Sequence, residues 1–226
     1  MKPRSREEIY NDINGDLVHL FRTIRDNYEE FERRVKWTLY SREEWNRCKR
    51  REFCDDVDRA VCFAVVITQS FGAKGQRFAA GRRNWIGFIR RLERIRERLQ
   101  GVCIENLDYR EVIKKYDGKD TLFYLDPPYE MGVNDLYGMR WTEEDTRELI
   151  EIIKGIEGYW IMSNYKNPLL EKELKNYNWY TYRFVSSIIF KEKKPVKEEV
   201  LITNIPEEKM LGVFNSTLFD YGEGEG

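Results

Sequence analysis

The chain has 226 residues, of which 41% are hydrophobic and 35% charged, with a formal net charge of -1. That length allows one sizeable core with a smaller subdomain, and the near-neutral balance excludes a polyanionic partner held by overall charge alone. The four cysteines (Cys48, Cys54, Cys62, Cys103) lack CxxC spacing and His19 is the sole histidine, which argues against a metal site and predicts reduced, partly buried thiols in a soluble, cytoplasmic protein.

The charge is uneven along the chain. Residues 1–100 carry 23 Lys/Arg against 16 Asp/Glu, and residues 101–226 carry 16 against 24. No secretory signal opens MKPRSREE, and the apolar run VCFAVVI is too short to cross a bilayer, so no membrane role is expected.

In chain order, EEIYND reads as a short strand ending at Asn11-Asp12-Ile13-Asn14-Gly15. One helix is expected from about Asp16, with Leu17, Leu20, Phe21, Ile24, Tyr28, Phe31 and Val35 at spacings of three and four. Residues 36–101 hold no convincing strand: a Trp/Tyr-rich segment (Trp37 to Trp45), a helix near Asp55 to Ser70, the loop SFGAKGQRFAAGRRNW and a helix from about Trp85 to Leu99 suggest a helical insertion. Alternation then resumes with strand Val102 to Glu105, helix Tyr109 to Tyr116, strand Thr121 to Leu125, a DPPY turn, and a helix opened by the capping pair Thr142 and Asp145. Strand Tyr159 to Ser163, a short helix capped by Asn167 with Pro168 at its first position, and strands Tyr180 to Phe190 and Glu199 to Asn204 complete the pattern. The expected class is α/β, a mostly parallel sheet whose last two strands form an antiparallel pair.

In such sheets ligands bind outside the carboxyl ends of the strands. Three polar clusters fall there and are expected to converge: Asp12 with Asn14, Asn106 with Asp108, and Asp126-Pro127-Pro128-Tyr129. Asp12 and Asp108 are equally readable as helix caps. The DPPY turn is harder to explain by local structure. Prolines fix φ and remove N–H donors, so Asp126 and the Pro127 carbonyl present two rigid acceptors suited to an amino group, and Tyr129 offers a face on which a base can stack. Acceptors out of the plane of an exocyclic amine favour the sp³-like nitrogen whose lone pair can attack.

These residues resemble the Dam-like (D12 class) DNA adenine-N6 methyltransferases. The resemblance runs from about Glu7 to Ile205 and rests on YNDINGDLVHLFR, the SFGAKG loop, GVCIENLDYREVIKKYDGKDTLFYLDPPY, WTEEDTREL, IMSNY and EEVLITN. It implies a Rossmann-like core in residues 1–35 and 102–206, a helical DNA target-recognition insertion in residues 36–101, and a C-terminal tail in residues 207–226. By the same resemblance Asp12 holds the ribose hydroxyls of S-adenosyl-L-methionine, Ile13 flanks its adenine, Asn106 or Asp108 lies near the adenine edge, Asp126 and Pro127 bind the target N6 amino group, and Tyr129 stacks on an adenine flipped from double-stranded DNA.

Charge supports the insertion's role. From Lys74 to Arg98 there are nine basic residues and two acids. The loop residues Lys74, Arg77, Arg82 and Arg83 are the expected contacts to phosphates or base edges, while a solvated helix face explains Arg90 to Arg98 equally well. The family begins with a central strand and a glycine loop that approaches the methionine part of the cofactor, and residues 1–6 carry neither. The expectation is an enzyme of phage or restriction-modification type whose first strand is missing. Three accounts of that gap stand open: a second polypeptide, a start upstream of Met1, or a DNA-binding remnant. Methylation of RNA or of a protein amide shares the same turn chemistry.

Overall fold

The computed structural model describes residues 4–71, 75–80, 83–129, 132–134, 139–185 and 196–209, without the side chains of 83–84, 132–134, 139–140, 183–185 and 196–197. The described strands are β1 (Glu8–Asn11), β2 (Val102–Glu105), β3 (Leu122–Leu125), β4 (Gly132–Asn134), β5 (Met139–Trp141), β6 (Tyr159–Tyr165), β7 (Asn178–Val185) and β8 (Val196–Thr203). The helices are α1 (Gly15–Asp26), α2 (Tyr28–Trp37), α3 (Arg42–Lys49), α4 (Asp56–Thr68), α5 (Arg83–Leu99), α6 (Tyr109–Tyr116), α7 (Glu143–Lys154) and α8 (Pro168–Glu173). The chain divides into two compact units, Met1–Val112 with Val133–Arg140 and Ile113–Gly132 with Trp141–Gly226.

The first unit packs α1 to α5 around one apolar cluster. Ile24, Phe31, Val35, Val65 and Leu92 are almost wholly buried in it, and Trp45 donates its ring N–H to Ser70 Oγ at 2.9 Å. Beside this cluster, β1 and β2 pair in parallel with Glu8 opposite Val102 and Asn11 opposite Glu105. The helices start where short polar side chains can satisfy free N–H groups: Asn14 accepts from Asp16, Ser41 from Glu44 and Asp55 from Asp58.

Two expectations are corrected here, the single first helix and the reduced thiols, and one unassigned segment is resolved. The single helix expected from Asp16 through Val35 is two helices, because Asn27 leaves helical geometry (φ -131°, ψ 40°) while its N–H closes α1 on the Thr23 carbonyl. The apolar spacing 24, 28, 31, 35 runs through the break, so periodicity hides it. The Trp37–Trp45 segment contains the start of α3, whose eight residues bury only Trp45 and Cys48 and so carry almost no periodic signal. Packing α3 on α4 also joins Cys48 to Cys62 as a disulfide, in place of two reduced thiols; Cys54 and Cys103 are exposed and take no part in it.

The second unit is a four-stranded sheet in the order β3-β6-β8-β7. The β3–β6 pair is parallel, and β8 runs antiparallel to both β6 and β7. The antiparallel C-terminal pair is therefore as expected, but in place of one mostly parallel sheet the described strands form a parallel β1–β2 pair, a mixed sheet and the short β4–β5 pair. Trp160, Met162 and Ile202 on one face of the mixed sheet are buried, and so are Ile150 and Ile153 of α7 and Leu170 of α8. The opposite face carries Leu122 and Tyr124, which are 56% and 64% exposed. The part of the Tyr180–Phe190 strand beyond Val185 falls outside the described residues, as does the tail beyond Lys209. No described helix is long and apolar enough to cross a membrane.

Candidate functional site

At the carboxyl end of β1 the chain makes a compact polar turn. Asp12 Oδ1 accepts the Asn14 N–H at 2.8 Å, and Asn14 in turn caps α1. The helix cap is thus Asn14, which leaves Asp12 two residues before it, half-buried, with its second oxygen accepting from the Tyr10 hydroxyl at 3.4 Å. Burial pushes the Asp12 carboxyl above the ordinary aspartate range, against the pull of its hydrogen bonds to Asn14 and Tyr10. Ile13 beside it is 43% exposed.

The end of β2 is tied to this turn. Asn106 Nδ2 donates to the Asp12 carbonyl at 2.7 Å, and the Asn11 amide makes two 3.0 Å bonds with the Leu107 backbone, one in each direction. Asp12, Ile13 and Asn106 are therefore brought together as expected. Asp108 lies next to them but serves α6: its Oδ1 accepts the Arg110 N–H at 2.9 Å and its carboxylate pairs with the Arg110 guanidinium. Asn11 carries no role in the sequence-based reading, although its amide holds the two strand ends in register. Nothing local in the sequence marks a contact across 96 positions.

In the second unit β3 runs into Asp126, and Ser163 of the neighbouring strand β6 donates its hydroxyl to Asp126 Oδ1 at 2.9 Å. Ser163 is itself buried, 3% exposed, so the carboxylate is held from the sheet side while it remains exposed toward solvent. Tyr129 sits edge-on to Tyr165 with ring centroids 4.9 Å apart. Burial, reinforced by the Asp126 carboxylate, pushes the Tyr129 hydroxyl well above the usual phenol range, so it stays protonated and the ring acts as a neutral surface. Asp126, Pro127 and Tyr129 thus form one cluster, to which the structure adds Ser163 and Tyr165. Both added residues lie in the IMSNY stretch, whose position beside the DPPY turn follows only from strand pairing.

Of the expected DNA contacts, Arg77 lies exposed in the turn between Ser70 and Phe78, which are themselves bridged. Lys74, Arg82 and the Arg83 side chain fall outside the described residues.

Acceptors and an aromatic ring thus stand together at the end of a parallel strand, the arrangement expected of a site for a planar molecule bearing an amino group. Comparison with protein families agrees with that class: the model for the D12 class N6 adenine-specific DNA methyltransferases matches residues 1–188, and the chain belongs to this family. It is accordingly an adenine-specific DNA methyltransferase, with DNA as its substrate and a methyl donor as its second reactant. Among curated proteins the comparison found no match.

Proposed function

We propose that the chain transfers a methyl group from S-adenosyl-L-methionine to N6 of an adenine flipped out of double-stranded DNA, in a phage or restriction-modification setting. The observation that carries this reading is the Asp126 carboxylate, fixed by Ser163 at 2.9 Å beside Tyr129 at the end of β3. S-adenosylmethionine, when bound, supplies an electrophilic methyl group on a sulfonium. The chain's own residues do the rest.

Asp126 and the Pro127 carbonyl accept the two N6 hydrogens and hold the nitrogen in sp³-like geometry, so its lone pair is free to attack. Tyr129 stacks on the flipped base, a contact worth about 1–3 kcal/mol. The proton released from N6 passes to Asp126 or to solvent. On the donor side the half-buried, raised-pKa Asp12 fits a pair of ribose hydroxyls, which would replace the solvation it has lost; Ile13 offers an apolar flank and Asn106 borders the same turn. Residues 1–35 and 102–206 are read as the catalytic core and residues 36–101 as the target-recognition insertion.

Incubation with labelled S-adenosylmethionine and duplex DNA tests the reading: label appears at N6 of adenine, and Asp126→Ala abolishes transfer while leaving DNA binding largely intact. No incorporation into any DNA, with or without a natural partner, would sink it.

Two open sheet edges favour a second reading, a subunit of a split methyltransferase that is inactive alone. Among the described residues β1 pairs only with β2 and β3 only with β6, which leaves each strand an edge of N–H and C=O groups ready to pair. A strand with a glycine loop, from a further segment or a second polypeptide, is the proposed occupant. Calorimetry distinguishes the readings: donor binding only after a glycine-motif peptide is added supports the split enzyme, and donor binding by the lone chain opposes it.

A further inference from the structure

We infer that the outer face of α5, formed by Arg90, Arg91 and Arg94 beside Gly87, is a docking surface for the phosphate backbone of duplex DNA; this rests on the DNA-methylating reading and assigns part of the substrate contact to residues that belong to neither strand-end cluster. The face is fixed by packing. Trp85 and Leu92 are buried in the helical core and Phe88, Ile89, Ile95 and Leu99 pack against it, which turns Arg90, Arg91 and Arg94 to solvent. Positions 87, 90, 91 and 94 are separated by three and four residues and so share one side of the helix, with the outer two arginine Cα atoms about 6 Å apart along its axis.

Two independent observations separate this face from an ordinary solvated one. The first is pairing. Arg33, Arg34, Arg47, Arg51 and Arg59 of the same unit all hold carboxylates, and within α5 itself Arg96 pairs with Glu29 and Arg98 with Glu8. Arg90, Arg91 and Arg94 form no ion pair with any described residue, although Glu93 and Glu97 border them on the helix. Three unneutralised guanidiniums in under two turns repel one another and favour a polyanion.

The second is the glycine. Gly87 lies inside a 17-residue helix, where glycine is clearly less favourable than alanine. Among the described residues nothing requires it there: an added Cβ would meet the flexible Arg91 guanidinium, at 3.6 Å from Nη2, which is ordinary contact. The missing side chain instead lets the Arg91 guanidinium lie close over the helix backbone, on the same side as Arg90 and Arg94, where the three can meet a phosphate together.

Fluorescence anisotropy with a short labelled duplex, titrated between 50 and 200 mM salt, tests the surface, with circular dichroism to verify folding of each variant. Arg90→Ala, Arg91→Ala and Arg94→Ala are each expected to weaken binding equally for methylatable and unrelated duplexes and to reduce the log–log salt slope by about 0.9. Gly87→Ala adds helix propensity, so it cannot fail by unfolding the helix; it is expected to weaken binding several-fold with the salt slope retained. If the wild-type chain binds DNA but the three arginine variants keep its slope and affinity, the surface is overturned while the methyltransferase reading stands. If the wild-type chain binds no duplex at low salt, the reading beneath it fails as well.

Discussion

Ser163 donates its hydroxyl to Asp126 across 2.9 Å, joining the middle of β6 to the residue that ends β3. A hydrogen bond to a charged group contributes roughly 1.5–3 kcal/mol, so Ser163→Ala should let the carboxylate rotate away from the geometry the amine requires. The expected outcome is a fall in kcat of about 10- to 100-fold with little change in KM for DNA, since Ser163 is buried behind the Asp126 carboxylate it holds. Ser163→Thr keeps the hydroxyl and should recover most of the rate. Steady-state methyl transfer by the two variants checks this, and a purely structural role would lower KM and kcat effects together with the melting temperature.

Asp12 carries a carboxyl whose folded-state pKa is raised by burial. The charge is therefore a cost to the fold that is absent below the unfolded value near 3.8, grows as pH rises from there to the folded value, and is constant above it. Asp12→Asn keeps an oxygen for the Asn14 N–H and removes the charge. It should raise the melting temperature at neutral pH, with the gain vanishing on acidification, and it should abolish donor binding. Carboxyl NMR titration of the wild-type chain should show Asp12 above the ordinary range, falling when a ligand with free ribose hydroxyls is added.

Much of this arrangement was legible along the chain, and the reason is local. The start of α7 is announced by Thr142 and Asp145, which form the reciprocal pair read from their spacing, and α8 by Asn167 followed by Pro168. Strand β2 and helix α6 have the bounds expected from apolar pattern alone. What the pattern lacks is anything spanning distance. Ser163 meets Asp126 across 37 positions, Asn11 meets Leu107 across 96, and Cys48 meets Cys62 only because two helices pack. Asp12 shows the intermediate case: the competing capping role was readable, and only the geometry shows that Asn14 takes it.

Gln69, at the end of α4, is completely buried, and neither its amide nitrogen nor its amide oxygen has a hydrogen-bond partner among the described residues. A buried polar group left unpaired costs about 1–3 kcal/mol, whereas an apolar side chain of similar volume carries no such cost. Gln69→Met is therefore expected to stabilise the first unit by an amount in that range, read as a higher denaturant midpoint at unchanged m-value. A lower midpoint would mean that the amide is satisfied in solution, for instance by buried water.

Gly158 precedes β6 where that strand meets the turn before β3. A Cβ built there would lie 2.5 Å from both the Gly118 and the Thr121 carbonyl oxygens, which are backbone atoms and cannot swing aside. The same junction is held by Asp117, whose carboxylate accepts the Glu157 N–H at 2.9 Å and the Gly158 N–H at 3.2 Å, and by the Tyr159 N–H donating to the Thr121 carbonyl at 2.8 Å. Gly158→Ala must push β3 and β6 apart at their amino ends. Overpacking of this kind costs about 1–3 kcal/mol, so the melting temperature of the second unit should fall. The strain also travels along the strands to the Ser163–Asp126 contact, so methyl transfer should drop at temperatures where the variant is still folded. Asp117→Asn, which keeps one acceptor and adds no volume, should lose less stability and leave transfer near the wild-type rate. If both variants lose stability equally, the junction is held by the Asp117 carboxylate and the lack of space at Gly158 is not what fixes β3 against β6.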